Sequence, residues 1–241
     1  MEESYPGFRG LNLSYETRIG LFKHPELLAE AEKRGMGKFE LFASPILESQ
    51  VVDVADEIAY DNHDLDDGLT SGLIKEEELE ALALWREAKA QVRAKTALSP
   101  KVRKYQVIRR LINWEVTDLV RQTLLNLNKH RIRSATQAMQ LDHFMIGFSP
   151  ELKEKREELR SFLKARLYRH YRVVRMSDKA RRFLRALFEV YLSRPEQLPP
   201  GSQRRLKTEG PHRVICDYLA GMTDRYAQDE YKKFFEPFER V

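Results

Sequence analysis

The chain has 241 residues, 42% of them apolar, which supplies a sizeable core and argues against a disordered chain. Its formal charge of +5 is uneven, acidic over 56–67 and basic over 101–110 and 153–182. A single cysteine, Cys216, excludes an intrachain disulfide and a Cys-rich zinc site, and no apolar run approaches the roughly 18 to 20 residues that cross a bilayer. The start MEESYPGFRG has neither the basic nor the apolar part of a leader, so a soluble cytoplasmic protein with no membrane contact is expected. Val214, Ile215 and Leu219 around Cys216 predict that this thiol is a small buried hydrophobe.

Apolar residues recur at three and four, the helical period, and the fold class expected is all-α. In chain order the spacing predicts helices over 15–24, 26–33, 45–66, 75–94, 100–129, 135–141, 150–171, 178–192 and 214–235, the last interrupted at Gly221. Ser44-Pro45, Ser99-Pro100 and Ser149-Pro150 each place a hydroxyl N-cap before a proline at the first helical position, where no N–H is missed. The stretches 141–149 and 193–211 are expected to be loops. The second holds Pro195, Pro199, Pro200, Gly201, Gly210 and Pro211 with Arg204, Arg205 and Lys207, and such a long loop is either functional or poorly ordered.

The informative helix is 45–66. Leu47, Val51, Val54 and Ile58 form a stripe that should face the core, while Asp56, Tyr60, His63 and Asp64 gather on the other side. Asp56, Tyr60 and Asp64 lie four residues apart, so one ligand about 12 Å long could meet all three. Asp61, Asp64, Asp66 and Asp67 crowd the C-terminal end, where the helix dipole is already negative, and this misplacement points to a cation or a sugar hydroxyl held there. A solvated polar face is the plain alternative.

The run from Ser49 to Leu69, SQVVDVADEIAYDNHDLDDGL, resembles the DEIAYxxHDxxDGL signature of bacterial deoxyguanosine triphosphatase-like proteins of the HD superfamily. Three segments agree in order: Gly10 to Thr17 with Lys23-His24, then Val107 to Ile112, then Asp217 to Arg225. The resemblance covers essentially the whole chain and implies the C-terminal part of an HD-like helical bundle with orthogonal helices. It implies that residues 1–72 are the remainder of the HD phosphohydrolase domain and 73–241 a helical C-terminal domain.

By that resemblance Asp56 matches a ligand of a divalent metal such as Mg or Mn, Tyr60 packs against a bound nucleotide and Asp64 hydrogen-bonds the deoxyribose hydroxyl. The dipeptide His63-Asp64 is not the metal-binding His-Asp pair, which the family carries far upstream. Lys101, Arg103, Lys104, Arg109 and Arg110 are candidates for triphosphate contacts, since phosphoryl groups need cations on their nonbridging oxygens. A solvated helix face explains them equally. His130, His143, His170 and His212 read as surface or capping residues. The substrate implied is a deoxynucleoside triphosphate, hydrolysed to deoxynucleoside and triphosphate by a homo-oligomer. One carboxylate cannot close a catalytic metal site, so the chain alone is expected to be incomplete and inactive. Two other readings stand beside it: a noncatalytic helical module that binds nucleic acid or a sister subunit, and a nonfunctional remnant with exposed apolar surface.

Overall fold

The computed structural model describes residues 6–7, 11–21, 44–92 and 98–240. Helices are the only regular elements among the described residues, as the period predicts, and they pack into two compact units, 1–167 and 168–241. These units are defined by packing, whereas the division expected at residue 72 concerns ancestry. The predicted helix 26–33 and the segment around Lys23-His24 lie outside the described residues.

In the first unit α1 (Tyr15–Gly20) starts at Ser14, whose hydroxyl accepts from the Thr17 amide. The signature helix α2 runs Leu47–Thr70, four residues past its predicted end. Ser44 does not cap it. The N-cap is Ile46, and Ser44 is buried with its hydroxyl accepting from Gln50. The predicted helix 75–94 is two, α3 (Glu76–Leu79) and α4 (Ala83–Gln91), because Leu82 takes an extended conformation between them. Then follow α5 (Pro100–Lys129), α6 (Ala135–Met139) and α7 (Pro150–Leu163), and the chain leaves α7 through a π-helical turn over Lys164–Tyr168. Ser99 and Ser149 cap α5 and α7 as their sequences predict, accepting from Val102 and Leu152 amides.

Packing centres on α2 against α5, α6 and α7, with Ile58, Leu119 and Ile146 buried together and Leu47, Val54, Ile112 and Phe148 around them. Val51, expected on that stripe, is 44% exposed, and Tyr105 on α5 is also exposed. Gly68 lies against Ile74 so closely that a Cβ there would fall 2.5 Å from the Ile74 Cδ1. The buried Gln50 amide donates to the Pro45 carbonyl and accepts from the Met145 and Ile146 amides at 2.8 and 3.2 Å. The stretch 141–149 is thereby tied to the start of the signature helix.

The second unit contains α8 (Tyr171–Ser193), α9 (Pro200–Glu209), α10 (Pro211–Ala220) and α11 (Asp224–Phe235). The expected loop 193–211 is therefore mostly ordered helix. Its prolines start elements: Pro195 opens a 3₁₀ turn, Pro200 opens α9 and Pro211 opens α10, all at positions where the missing N–H costs nothing. Between α9 and α10 the chain turns at Gly210, at φ +80, a backbone open chiefly to glycine. The core joins Leu187, Tyr191, Leu198, Val214, Ile215 and Ala227, and the Tyr191 hydroxyl donates to Glu230 at 2.8 Å. Cys216 is exposed, contrary to its predicted burial, because Val214 and Ile215 already fill the inner face of α10.

Candidate functional site

Helix α2 carries two polar faces where the sequence suggested one. Asp56, Tyr60 and His63 are exposed and Asp64 is half-buried, so the face read from the spacing remains accessible. Asp61 and Asn62 are buried at 4% and 1% exposure, on the packing side. The expectation that Asp61 shares the acidic end with Asp64, Asp66 and Asp67 is corrected here. Asp61 follows Ile58 by three residues and precedes Leu65 by four, which places it on the apolar stripe.

Its partners come from α7. Arg156 donates to Asp61 at 2.8 Å and to Glu115 of α5 at 2.9 Å, and Arg160 donates to Asp61 at 2.8 Å and to Glu57 at 2.6 Å. The Asn62 amide completes the group by donating to Glu115 at 2.5 Å, and the Arg156 guanidinium lies over the Phe148 ring. Two guanidinium groups thus face three carboxylates across three helices. Burial pushes the Glu115 carboxyl above the ordinary glutamate range, against the opposing pull of Arg156 and of the Asn62 hydrogen bond. Two of the four acids at this end have protein cations: Arg156 and Arg160 serve Asp61, and Lys104 serves Asp66 at 2.5 Å.

Lys104 also donates to Thr70, so of the basic candidates on α5 it is already engaged. Arg109 and Arg110 line a cleft of about 580 Å³ with Gln91, Gln106 and Asn113. Arg110 donates to the Gln91 side-chain amide oxygen at 2.6 Å, a neutral partner, and neither arginine meets a carboxylate among the described residues. Lys101 and Arg103 are exposed. The histidines behave as read: His143 pairs with Asp142 and lies 5.0 Å from the His130 ring, His170 caps α8, and His212 is exposed. Asp217 accepts from Arg205 and Arg213, which hold its carboxyl below the usual range, and Thr223 caps α11, so the Asp217 to Arg225 segment builds local packing.

A divalent metal is not accommodated by the described residues alone. Asp56 is a single exposed carboxylate, and among the described residues no three His, Cys, Asp or Glu side chains converge on a point.

Residues 146–233 match the model of a phosphohydrolase-associated domain. Over its full length the chain is 45% identical to a deoxyguanosinetriphosphate triphosphohydrolase-like protein of Geobacter metallireducens and 42% identical to one of Geobacter sulfurreducens, covering 63% of each. A relative of the same description from Bordetella pertussis is 42% identical over 98% of the chain, which covers 62% of it. The chain spans under two thirds of the length of these relatives. The phosphohydrolase-associated region includes Arg156 and Arg160, so within the first unit it is this region that grips the signature helix. Among the described residues no helix is long and apolar enough to cross a membrane.

Proposed function

We propose that this chain is part of a deoxynucleoside triphosphate triphosphohydrolase, whose reaction turns a deoxynucleoside triphosphate and water into deoxynucleoside and inorganic triphosphate. The observation that carries this reading is the division of α2: the charges at Asp61 and Glu57 are spent on packing, while Asp56, Tyr60 and Asp64 share a face that stays accessible. On that face the chain's own residues bind and orient. The Tyr60 ring lies along the nucleotide, and the Asp64 carboxylate accepts from the deoxyribose hydroxyl. From the α5 cleft the Arg109 guanidinium donates to nonbridging phosphate oxygens, where it stabilises charge that water would otherwise solvate. Asp56 supplies one ligand to a divalent metal, Mg or Mn, whose other ligands are not among the described residues. In this reading residues 1–72 are the remainder of the HD domain and 73–241 the helical C-terminal domain. The protein acts in the cytoplasm as a homo-oligomer, and analytical ultracentrifugation reads out the assembly.

The test is release of inorganic triphosphate from each of the four deoxynucleoside triphosphates with Mg or Mn, alongside equilibrium binding of the same nucleotides. The chain alone binds nucleotide and releases no triphosphate. Arg109→Ala weakens binding by about tenfold, the scale of one charge-assisted hydrogen bond, and Tyr60→Ala weakens it by a similar factor through loss of the packed ring. Release that disappears in Asp56→Ala would show the chain to be catalytically complete and sink that part of the reading. No nucleotide binding by the folded chain would sink the substrate assignment.

A further inference from the structure

Two arginines one turn apart on α7 meet two carboxylates one turn apart on α2. Arg156 and Arg160 face Glu57 and Asp61, and each of those acids directly follows a residue of the accessible face, Asp56 or Tyr60. At about 100° per residue, Asp56, Tyr60 and Asp64 span an arc of about 80° on α2. Glu57 and Asp61 come next on the same side, at about 100° and 140° from Asp56, and Val54, Leu65 and Ile58 follow at about 160° to 200°. The two acids therefore form the seam between the accessible face and the core.

Apolar packing alone leaves the rotation of α2 loosely fixed. Ile58 and Leu65 are buried, but Val51 and Val52 are 44% and 67% exposed, and hydrophobic burial has no direction. A guanidinium does, because its planar fork dictates where both acceptor oxygens stand. Arg160 donates from Nε to Asp61 at 2.8 Å and from Nη2 to Glu57 at 2.6 Å, so one edge of the fork spans the turn that carries Asp56 and Tyr60. Its base is firm. Arg156 on the same helix holds Asp61 and Glu115, and Leu152, Leu159 and Leu163 bury the inner side of α7. Stability does not account for the bond to Glu57: the two side chains are 35% and 42% accessible, and an ion pair this wet adds little to folding.

We propose that Arg160 is a positioning residue of the α2 face: by joining Glu57 to Asp61 it sets the rotation of the helix, and with it the places of Asp56, Tyr60 and Asp64. The inference rests on the reading of that face as the nucleotide-binding one. Side chains reach about 5 to 6 Å from a helix axis, so a rotation of about 20° carries their tips about 2 Å, more than a well-placed contact tolerates.

The experiment uses the full chain, calorimetric titration with each of the four deoxynucleoside triphosphates, and 3-fluorotyrosine labelling, the Tyr60 resonance being assigned by its loss in Tyr60→Phe. Arg160→Gln and Glu57→Gln each weaken nucleotide binding by about tenfold, the loss of one misplaced contact, and each shifts the Tyr60 resonance before any nucleotide is added. The sign of the Glu57 effect separates positioning from direct contact. An arginine that met the phosphates itself would be freed by Glu57→Gln and hold them more tightly, whereas a positioning arginine loses its grip on the helix. Arg166→Gln removes the same charge from a pair with Glu78, off α2, and leaves both readouts unchanged. Should Arg160→Gln unfold the chain, which circular dichroism reports, Glu57→Gln cuts the same bond at its wetter end. Tighter or unchanged binding in Glu57→Gln, an unmoved Tyr60 resonance in both variants, or an equal effect of Arg166→Gln each overturns the assignment. If the parent chain binds no nucleotide, the substrate reading fails by itself and the Tyr60 resonance decides: a shift in both variants upholds the clamp, and its absence removes it.

Discussion

Residues 153–182 read in sequence as a single basic stretch, yet the fold gives its two ends opposite treatment. Arg156, with a side chain only 5% accessible, is enclosed by Asp61, Glu115 and the Phe148 ring. Arg175, Lys179 and Arg182 stand in water with no carboxylate partner among the described residues. The difference is one of desolvation. A guanidinium drawn out of water must recover its hydration energy from fixed partners, so its position is specified by them; an exposed one retains its water and stays available to an external anion. Charge count alone does not separate the two cases, and helical phase does.

The strongest way to break this comparison is to remove Arg156. Arg156→Met leaves Glu115 with only Asn62 and Asp61 with only Arg160, and stability by urea unfolding falls by about 3–5 kcal/mol, the cost of an uncompensated buried charge. Pairing it with Glu115→Leu returns part of that loss, because two desolvated charges vanish together. A loss under about 1 kcal/mol in the single variant would place Arg156 in the same class as the exposed cations.

Glu115 sharpens the same point through pH. Its folded carboxyl titrates above its unfolded value because burial disfavours the charge. The stabilising term is therefore full below the unfolded glutamate range and is lost as pH rises through the raised folded value. Glu115→Gln lacks this dependence. Between pH 4 and pH 7 the difference in urea midpoint between parent and variant moves in the variant's favour, and a constant difference would show that Glu115 titrates normally.

Much of this was legible beforehand, and the failures share a cause. Helix starts at Ser99-Pro100 and Ser149-Pro150 followed from local chemistry, since the N-cap hydroxyl and the proline act on their own turn. The same rule failed at Ser44-Pro45, where Ile46 is the N-cap, and it held unread at 193–211, where a cluster of prolines read as a loop is a series of first helical positions. In the site, the accessible face of Asp56 and Tyr60 followed from spacing. The buried network did not, although its signal was present: Asp61 sits between Ile58 and Leu65, Glu115 between Leu111 and Leu119, and Arg156 between Leu152 and Leu159, each on its helix's apolar stripe. A charge at a core phase on each of three helices is the mark of an internal ion group. Which charge meets which is set by tertiary packing, and Gln50, which joins residues 95 positions apart in sequence, carries no comparable local sign.

The smallest effect tests the exposed end of the stretch. Lys179→Gln with Arg182→Gln removes two charges that have no carboxylate to lose, so stability changes by less than about 0.5 kcal/mol, and the sign is a gain because like charges three and four residues apart repel. Salt distinguishes this from a packing effect. Repulsion along an exposed row is screened within about 10 Å at 0.1 M salt, so the parent gains stability with added salt and the variant gains less. Loss of Arg156 does not follow that pattern, since a pair with 5% and 0% accessible side chains is beyond the reach of the ions. If the Lys179 and Arg182 variant instead lost more than about 1 kcal/mol at every salt concentration, these cations would be structural like Arg156, and the row would lose its claim to an external anion.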